Sequence, residues 1–315
     1  MFLQNLDRYP DPVSEKFYAK RNIDFVRQDL HRYRQHVHRG QEYMKRCRVI
    51  VTGLIRNCME QVPRLEEFVD AFQKTCQECV ILIVENDSTD DTRQRLYSWS
   101  QRNASVLLLC PHKTTINDMT CDTRDFSTIT RVSKSPSTMR IKKMAMLRNT
   151  YLDYIKRYYS HFDVALVMDM DLDGTLFMDG VFHSMFLFQQ KSHIDAIACN
   201  GLLRKKNTFV YYDSFAYVPL NEEIEWQTLF DKHSHDVEVG RYVTQRYLDG
   251  KRPLELDRVR SAFGGACLYR VASLLGKSYG YSQKGFACEH SYLNTRLKHV
   301  YVNPRMIFLI ESNPD

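Results

Sequence analysis

Apolar residues fall along this chain in short β-branched runs, and the stretches between the first runs carry helical spacing. From Arg48 the run RVIVTGLIRN is dense in Val and Ile and breaks at Gly53, Arg56 and Asn57, which predicts a buried strand followed by a polar turn. Val62, Leu65, Phe68, Val69 and Phe72 then recur at steps of three and four, a helix with one buried stripe. A second strand is expected from Cys79, CVILIVENDSTDDT, stopping at Glu85, Asn86, Asp87 and Ser88, where Ser88 or Asp90 can cap the helix that follows. Strand, helix and strand in that order form a βαβ unit, whose right-handed crossover puts both strand ends on one edge of a parallel sheet.

Further along, Met144, Leu147, Tyr151 and Tyr154 predict another amphipathic helix, with Arg148 and Asn149 beside its stripe. Phe162 to Met168 reads as a buried strand, and it runs straight into Asp169, Asp171 and Asp173. Ile194–Gly201, Phe209–Tyr217 and Val259–Tyr269 are later strand candidates. The second is rich in aromatics and holds Asp213, and the third contains Gly264 and Gly265, a sign of a bulge or of backbone passing close to a ligand. From Gly285 to Val300, Phe286, Leu293, Leu297 and Val300 suggest one helix, with Glu289 on its inward stripe near the N-terminus.

The acidic triplet carries the clearest chemistry. Carboxylates at alternate positions share a face if the strand continues, and their repulsion calls for a cation. Hard oxygen donors on a short loop suit Mg²⁺ or Mn²⁺, with water or phosphate oxygens completing the shell. A site for a metal-bound phosphate ester follows.

Two enzyme patterns resemble this stretch. Asp171-Leu172-Asp173-Gly174-Thr175-Leu176 is similar to the first motif of haloacid-dehalogenase-type phosphohydrolases, with Asp171 as nucleophile. Asp169-Met170-Asp171-Leu172-Asp173 resembles the DxD metal motif of nucleotide-sugar glycosyltransferases of the GT-A fold. Position favours the second, since about half the chain precedes the motif and no later strand candidate ends in the paired acids of the phosphohydrolases.

The GT-A resemblance covers roughly residues 48–310 and rests on the order of strand ends, DxD, aromatic strand, Gly-Gly strand and late Glu. That order is also loosely similar to the fungal capsule-type mannosyltransferases. It implies an α/β fold, a GT-A-like Rossmann-type mixed sheet flanked by helices, with an N-terminal helical extension. The implied divisions are a basic extension at 1–47 and a catalytic domain at 48–315, whose nucleotide-binding half spans about 48–175 and acceptor half about 176–315. Carried over, the resemblance places Thr52, Arg56, Glu85, Asn86 and Asp87 around the nucleoside, Arg148 and Asn149 by the nucleotide, and Gly264 and Gly265 along the donor sugar. It gives Asp169, Asp171 and Asp173 to the metal, which two remaining open; Asp171 and Asp173 are favoured, with Asp169 toward the ribose. His290 is an additional metal-ligand candidate. Glu289 becomes the base that deprotonates the acceptor hydroxyl in an inverting reaction, or an acceptor-positioning acid in a retaining one. Asp213, among the aromatics, belongs to a sugar acceptor. The implied reactants are a nucleotide-diphosphate sugar and a glycan or other hydroxyl acceptor.

Composition trims the alternatives. The 315 residues include 44 Lys and Arg against 38 Asp and Glu, a net charge of +6. That modest surplus, without a zinc-finger or RNA-recognition signature, makes a basic nucleic-acid-binding module the weaker reading, and no nucleic-acid partner is expected. Nine scattered cysteines read as reduced thiols, and Cys76 and Cys79 lack the second pair a zinc site requires. With no apolar stretch of membrane-spanning length, the expectation is a soluble cytoplasmic protein, a trimmed Golgi anchor being the alternative. Glu15 to Lys45 shows a broken helical pattern among many basic residues, suited to packing on the body, to an anionic membrane surface or to self-association. The polar stretch from His112 to Arg140 is long for a loop within a domain and is expected either to act as a lid over donor phosphates or to be disordered.

Overall fold

The computed structural model describes residues 30–86, 88–109, 138–205, 208–220, 243, 247, 255–281 and 288–312. The chain forms two compact units, one of residues 47–172 with 268–297, the other of residues 1–46, 173–267 and 298–315.

The first unit begins with β1 (Arg48–Ile55), α1 (Val62–Gln73) and β2 (Glu78–Glu85). Val62, Leu65, Phe68, Val69 and Phe72, the stripe expected from spacing, are all buried. α2 (Thr92–Arg102), β3 (Val106–Leu109), α3 (Thr138–Tyr158), β4 (Val164–Met168), β5 (Ala266–Arg270) and α4 (Glu289–Asn294) follow. The strand order β3-β2-β1-β4-β5 places the first strand centrally. β1 runs parallel to β2 from Arg48↔Glu78 to Ile55↔Glu85 and parallel to β4 from Val49↔Val164 to Thr52↔Val167. Every residue of β4 is buried, and so is every residue of β1 after Arg48, which explains why both read as continuous apolar runs. Because the strands are parallel, their C-terminal ends lie on one edge, where ligands of such sheets bind.

The second unit opens with α5 (Leu30–Met44), which packs on α6 (Met178–Gln190). The Tyr33 hydroxyl donates to the Asp179 carboxylate, and His36 stacks on Phe186 with ring centroids 4.1 Å apart. A Cβ on Gly40 would stand 1.7 Å from the Phe182 carbonyl oxygen, so glycine alone allows this approach of two helices. Of the roles foreseen for the basic N-terminal segment, packing on the body is thus the one the described part, Leu30–Met44, adopts. The mixed sheet of this unit is built on β6 (Val300–Ser312), which runs parallel to β7 (Ala196–Lys205) and antiparallel to β8 (Asp173–Leu176) and β9 (Asp257–Ser261). The register of β6 on β7 jumps between Asn303 and Ile307, a bulge that accommodates Pro304, which has no N–H to give a ladder.

Three expected elements differ from what forms. Phe209–Tyr217 is a strand only as far as Tyr211, and Ser214–Ala216 is a single 3₁₀ turn. The run Val259–Tyr269 is two strands, β9 and β5, joined by a turn in which Gly264 and Gly265 have φ of +64° and +85°. Of the expected helix Gly285–Val300, the described residues 288–300 form the short α4, and Val300 already opens β6. Among the described residues no helix is long and apolar enough to cross a membrane. Asp87, the first 29 residues and all of the expected lid before Thr138 lie outside the described residues.

Candidate active site

The parallel edge of the first unit gathers most of the sequence candidates. After β1 the chain turns through Asn57 at φ 47°, a left-handed conformation that asparagine tolerates better than most side chains. Its Oδ1 accepts from the Thr89 N–H at 2.7 Å, and its own N–H donates to Ser88 Oγ at 3.0 Å. Asp90 accepts from Met59 N–H at 3.3 Å and Thr92 N–H at 3.1 Å, so it closes an Asx turn ahead of α2, whose N-cap is Asp91, and ties the two turns together.

Glu85, expected to face a nucleoside, is fully buried and serves its own segment. Oε1 accepts from Ser88 N–H at 2.7 Å, and Oε2 pairs with Arg93 Nε at 2.6 Å. Thr52 is likewise inward, its hydroxyl donating to the Leu82 carbonyl across the β1–β2 ladder at 2.8 Å. Arg56, just past β1, is exposed. Asn86 is buried with an Oδ1 that finds no hydrogen-bond donor among the described residues, which leaves an acceptor at the edge.

At the end of β4 the chain carries Asp169, Met170 and Asp171. A Cβ on Gly53 would meet the Met168 carbonyl oxygen at 2.1 Å and the Met170 side chain at 2.8 Å, so the glycine of β1 makes room for this acidic turn. Burial, and then the charge of Asp169, push the Asp171 carboxyl up to about 7. Two carboxylates held this close in a half-buried setting are the donor set that Mg²⁺ or Mn²⁺ takes, with other oxygens filling the remaining positions. Among the described residues no three His, Cys, Asp or Glu side chains converge on one point. Asp173 is instead the first residue of β8 in the second unit, in register with Ser312 of β6.

Arg148 was expected beside the buried stripe of its helix. It lies on that stripe with Ile141, Ala145, Leu152 and Ile155, and only 3% of it is exposed. Its Nη2 donates to Asp169 Oδ1 at 3.0 Å, and its Nε to Glu289 Oε1 at 3.0 Å. Glu289, the first residue of α4, is buried as well. Asn149 points to the chain before α4: its Nδ2 donates to the Tyr279 carbonyl at 3.0 Å and its Oδ1 accepts from the Tyr279 N–H at 2.8 Å. The Tyr151 and Tyr279 hydroxyls, at 2.8 Å, complete this wall. His290 is buried with its ring edge-on to Tyr279, and burial followed by the charge of Arg148 holds it neutral well below the usual imidazole range. Sequence periodicity had not singled out Tyr151 or Tyr279 as polar participants, since tyrosines on a buried stripe look like packing.

In the second unit Asp213 stands in the left-handed region at φ 58°, just before a single 3₁₀ turn, Ser214–Ala216. Its charge, after burial, raises the neighbouring Tyr211 hydroxyl well above its ordinary range. A Cβ on Gly264 would meet the Cys199 carbonyl oxygen at 2.3 Å, so the Gly-Gly turn packs against the β7 backbone.

Comparison with known proteins adds a family. The family model described as cryptococcal mannosyltransferase 1 matches residues 48–291. No curated protein matches the chain. Among solved structures, the mannosyltransferase PcManGT of Pyrobaculum calidifontis, in complex with GDP-Man and Mn²⁺, is similar at 12% identity over 90% of this chain and 65% of that one, with a TM-score of 0.46. TarS of S. aureus with UDP-GlcNAc is similar at 12% identity over 85% of this chain and 59% of that one, TM-score 0.46. The glucosyl-3-phosphoglycerate synthase of Mycobacterium tuberculosis, with Mn²⁺, UDP and glucosyl-3-phosphoglycerate, is similar at 11% identity over 88% of this chain and 77% of that one, TM-score 0.43. The chain thus spans a little under two thirds of PcManGT.

Proposed function

The chain belongs to the cryptococcal mannosyltransferase 1 family of glycosyltransferases, and from that premise we propose that it transfers a sugar, mannose first among candidates, from a nucleotide-diphosphate donor to a hydroxyl of a glycan or similar acceptor, with Mn²⁺ or Mg²⁺ as cofactor. The observation that carries this reading is the pair Asp169 and Asp171 at the end of the parallel strand β4, where Asp171 retains its proton to about 7. A divalent ion held there would neutralise charge on the departing diphosphate.

The residues divide the work by place. Asn86 offers its unsatisfied amide oxygen to an N–H or O–H of the nucleoside. Asp169 and Asp171 hold the ion. Glu289, on the first turn of α4, faces the reacting centre and takes the acceptor proton if the reaction inverts, or orients the acceptor if it retains. Asp213, Gly264 and Gly265 are assigned to the sugars. Neither a phosphohydrolase with Asp171 as nucleophile nor a nucleic-acid-binding module gains support from the family.

The test is a thermal-shift panel of GDP-mannose, UDP-glucose and UDP-GlcNAc, each with and without Mn²⁺. A donor that binds only the native state raises the melting temperature by mass action. We expect one donor to do so only when Mn²⁺ is present. A panel without any metal-dependent shift would remove the transferase reading.

A further inference from the structure

Arg148 is the feature this reading leaves unused. A guanidinium buried to 97% on an otherwise apolar helix stripe is costly unless its donors are matched, and here two of them reach carboxylates from distant parts of the chain. One carboxylate follows β4, 21 residues along the chain; the other opens α4, 141 residues away. We propose that Arg148 is a positioning residue, one rigid fork that fixes the metal-side carboxylate Asp169 and the acceptor-side carboxylate Glu289 relative to each other, and that it makes no contact with the nucleotide. The proposal rests on the transferase reading above.

The geometry supports this division of labour. Nε and Nη2 lie in one plane, so two hydrogen bonds of 3.0 Å from them set both carboxylates with a single side-chain conformation. That conformation is itself held, because α3 buries Leu147, Tyr151 and Leu152 around it, and the Asn149–Tyr279 pair of hydrogen bonds pins the next residue of the helix. A buried arginine that turns Nε and Nη2 inward on two acids is badly placed to clasp a diphosphate. It is well placed to orient a metal ligand from behind, as partners of metal ligands commonly do. Glu289 and Asp169 are then coupled although neither touches the other in any bond described.

Arg148→Lys keeps the charge but replaces the fork with a single point donor. Mn²⁺ titration followed by electron paramagnetic resonance, without donor, should show about tenfold weaker binding in this variant, the usual scale for losing a partner of a metal ligand. Metal-free binding of GDP and UDP should stay within about threefold of wild type, and kcat should fall about 30-fold, a loss of orientation. Adding Glu289→Gln to Arg148→Lys should cost little more, whereas Glu289→Gln alone should cost at least about tenfold in kcat.

A second pair keeps the test independent of whether Arg148→Lys folds. Glu289→Gln retains an oxygen for the guanidinium and should leave Mn²⁺ affinity unchanged, while Glu289→Ala should weaken it about threefold or more, although Glu289 is not a metal ligand. Equal Mn²⁺ affinity in the two Glu289 variants would overturn the coupling. Loss of GDP or UDP binding in Arg148→Lys with Mn²⁺ binding intact would instead make Arg148 a nucleotide ligand. If wild type binds no nucleotide sugar at all, the transferase reading fails and this proposal with it; wild-type binding with uncoupled variants sinks the proposal alone.

Discussion

The ends of β2 and β4 lie on the same edge of one sheet, yet they solve opposite problems. At the end of β2, Glu85 is matched by Arg93 and the Ser88 N–H, and Asn57, Ser88 and Thr89 close the adjoining turns on each other. The charge there is balanced locally, within eight residues of Glu85. At the end of β4, Asp169 finds its cation on a different helix, and Asp171 is left to hold a proton to about 7. One end is finished by its own segment, and the other shares a single guanidinium between Asp169 and Glu289 and leaves Asp171 to hold a proton. Structure is invested in the first and chemistry is reserved for the second.

The largest effect expected is at the unbalanced end. Asp171→Asn should lower metal-dependent transfer by about a thousandfold, the scale of losing an electrostatic stabiliser of the transition state. Its metal-free melting temperature should hold or rise, because a carboxylate that resists ionisation is removed. At the balanced end the reverse is expected. Glu85→Ala, which strands Arg93 and the Ser88 N–H, should cost roughly 2–3 kcal/mol by urea denaturation, with Mn²⁺ affinity of the folded protein little changed. A Glu85→Ala variant that kept its stability but lost Mn²⁺ would erase the contrast between the two ends.

Gly53 joins the two regions through packing. Gly53→Ala must push the Met168 carbonyl away from a Cβ that would otherwise sit 2.1 Å from it, and should destabilise by roughly 1–3 kcal/mol and weaken Mn²⁺ binding at the same time. Stability lost without any change in Mn²⁺ binding would show that the glycine supports only the sheet.

Much of the balanced end was legible in the sequence. The strands before Ile55 and Glu85 and the stripe of α1 are local periodicities, and burial follows them residue by residue. The acidic turn was legible as well, because three alternating aspartates after an apolar strand demand an explanation. Arg148 was misplaced by one helical position, since nothing in its own neighbourhood says that its partners lie 21 and 141 residues away. The stretch after Gly285 misled for another reason. Leu293 packs in a helix and Val300 in a strand, and a spacing of seven between apolar residues fits both arrangements when the break falls between them. Two glycines in a β-rich run signalled a bulge, whereas their positive φ angles make a turn that divides it.

The effect most specific to the unbalanced end is in pH. The folded Asp171 carboxyl, raised to about 7, lies above its unfolded value near 4. Between these values the native state binds the extra proton, so the metal-free protein should lose stability as pH rises from about 4 to 7 and change no further above. Mn²⁺ competes with that proton, and its affinity should therefore climb over the same window and level off beyond about 7. Asp171→Asn should flatten both curves.

The central claim is that Asp169 and Asp171 together hold the ion through which a nucleotide sugar binds. Calorimetric titration of GDP-mannose and UDP-sugars into wild type, Asp169→Asn and Asp171→Asn, each with and without Mn²⁺, tests it most directly. The account predicts donor binding that requires Mn²⁺ in wild type and is lost in both folded variants. Donor binding of equal strength without the metal, or in either variant, would contradict it.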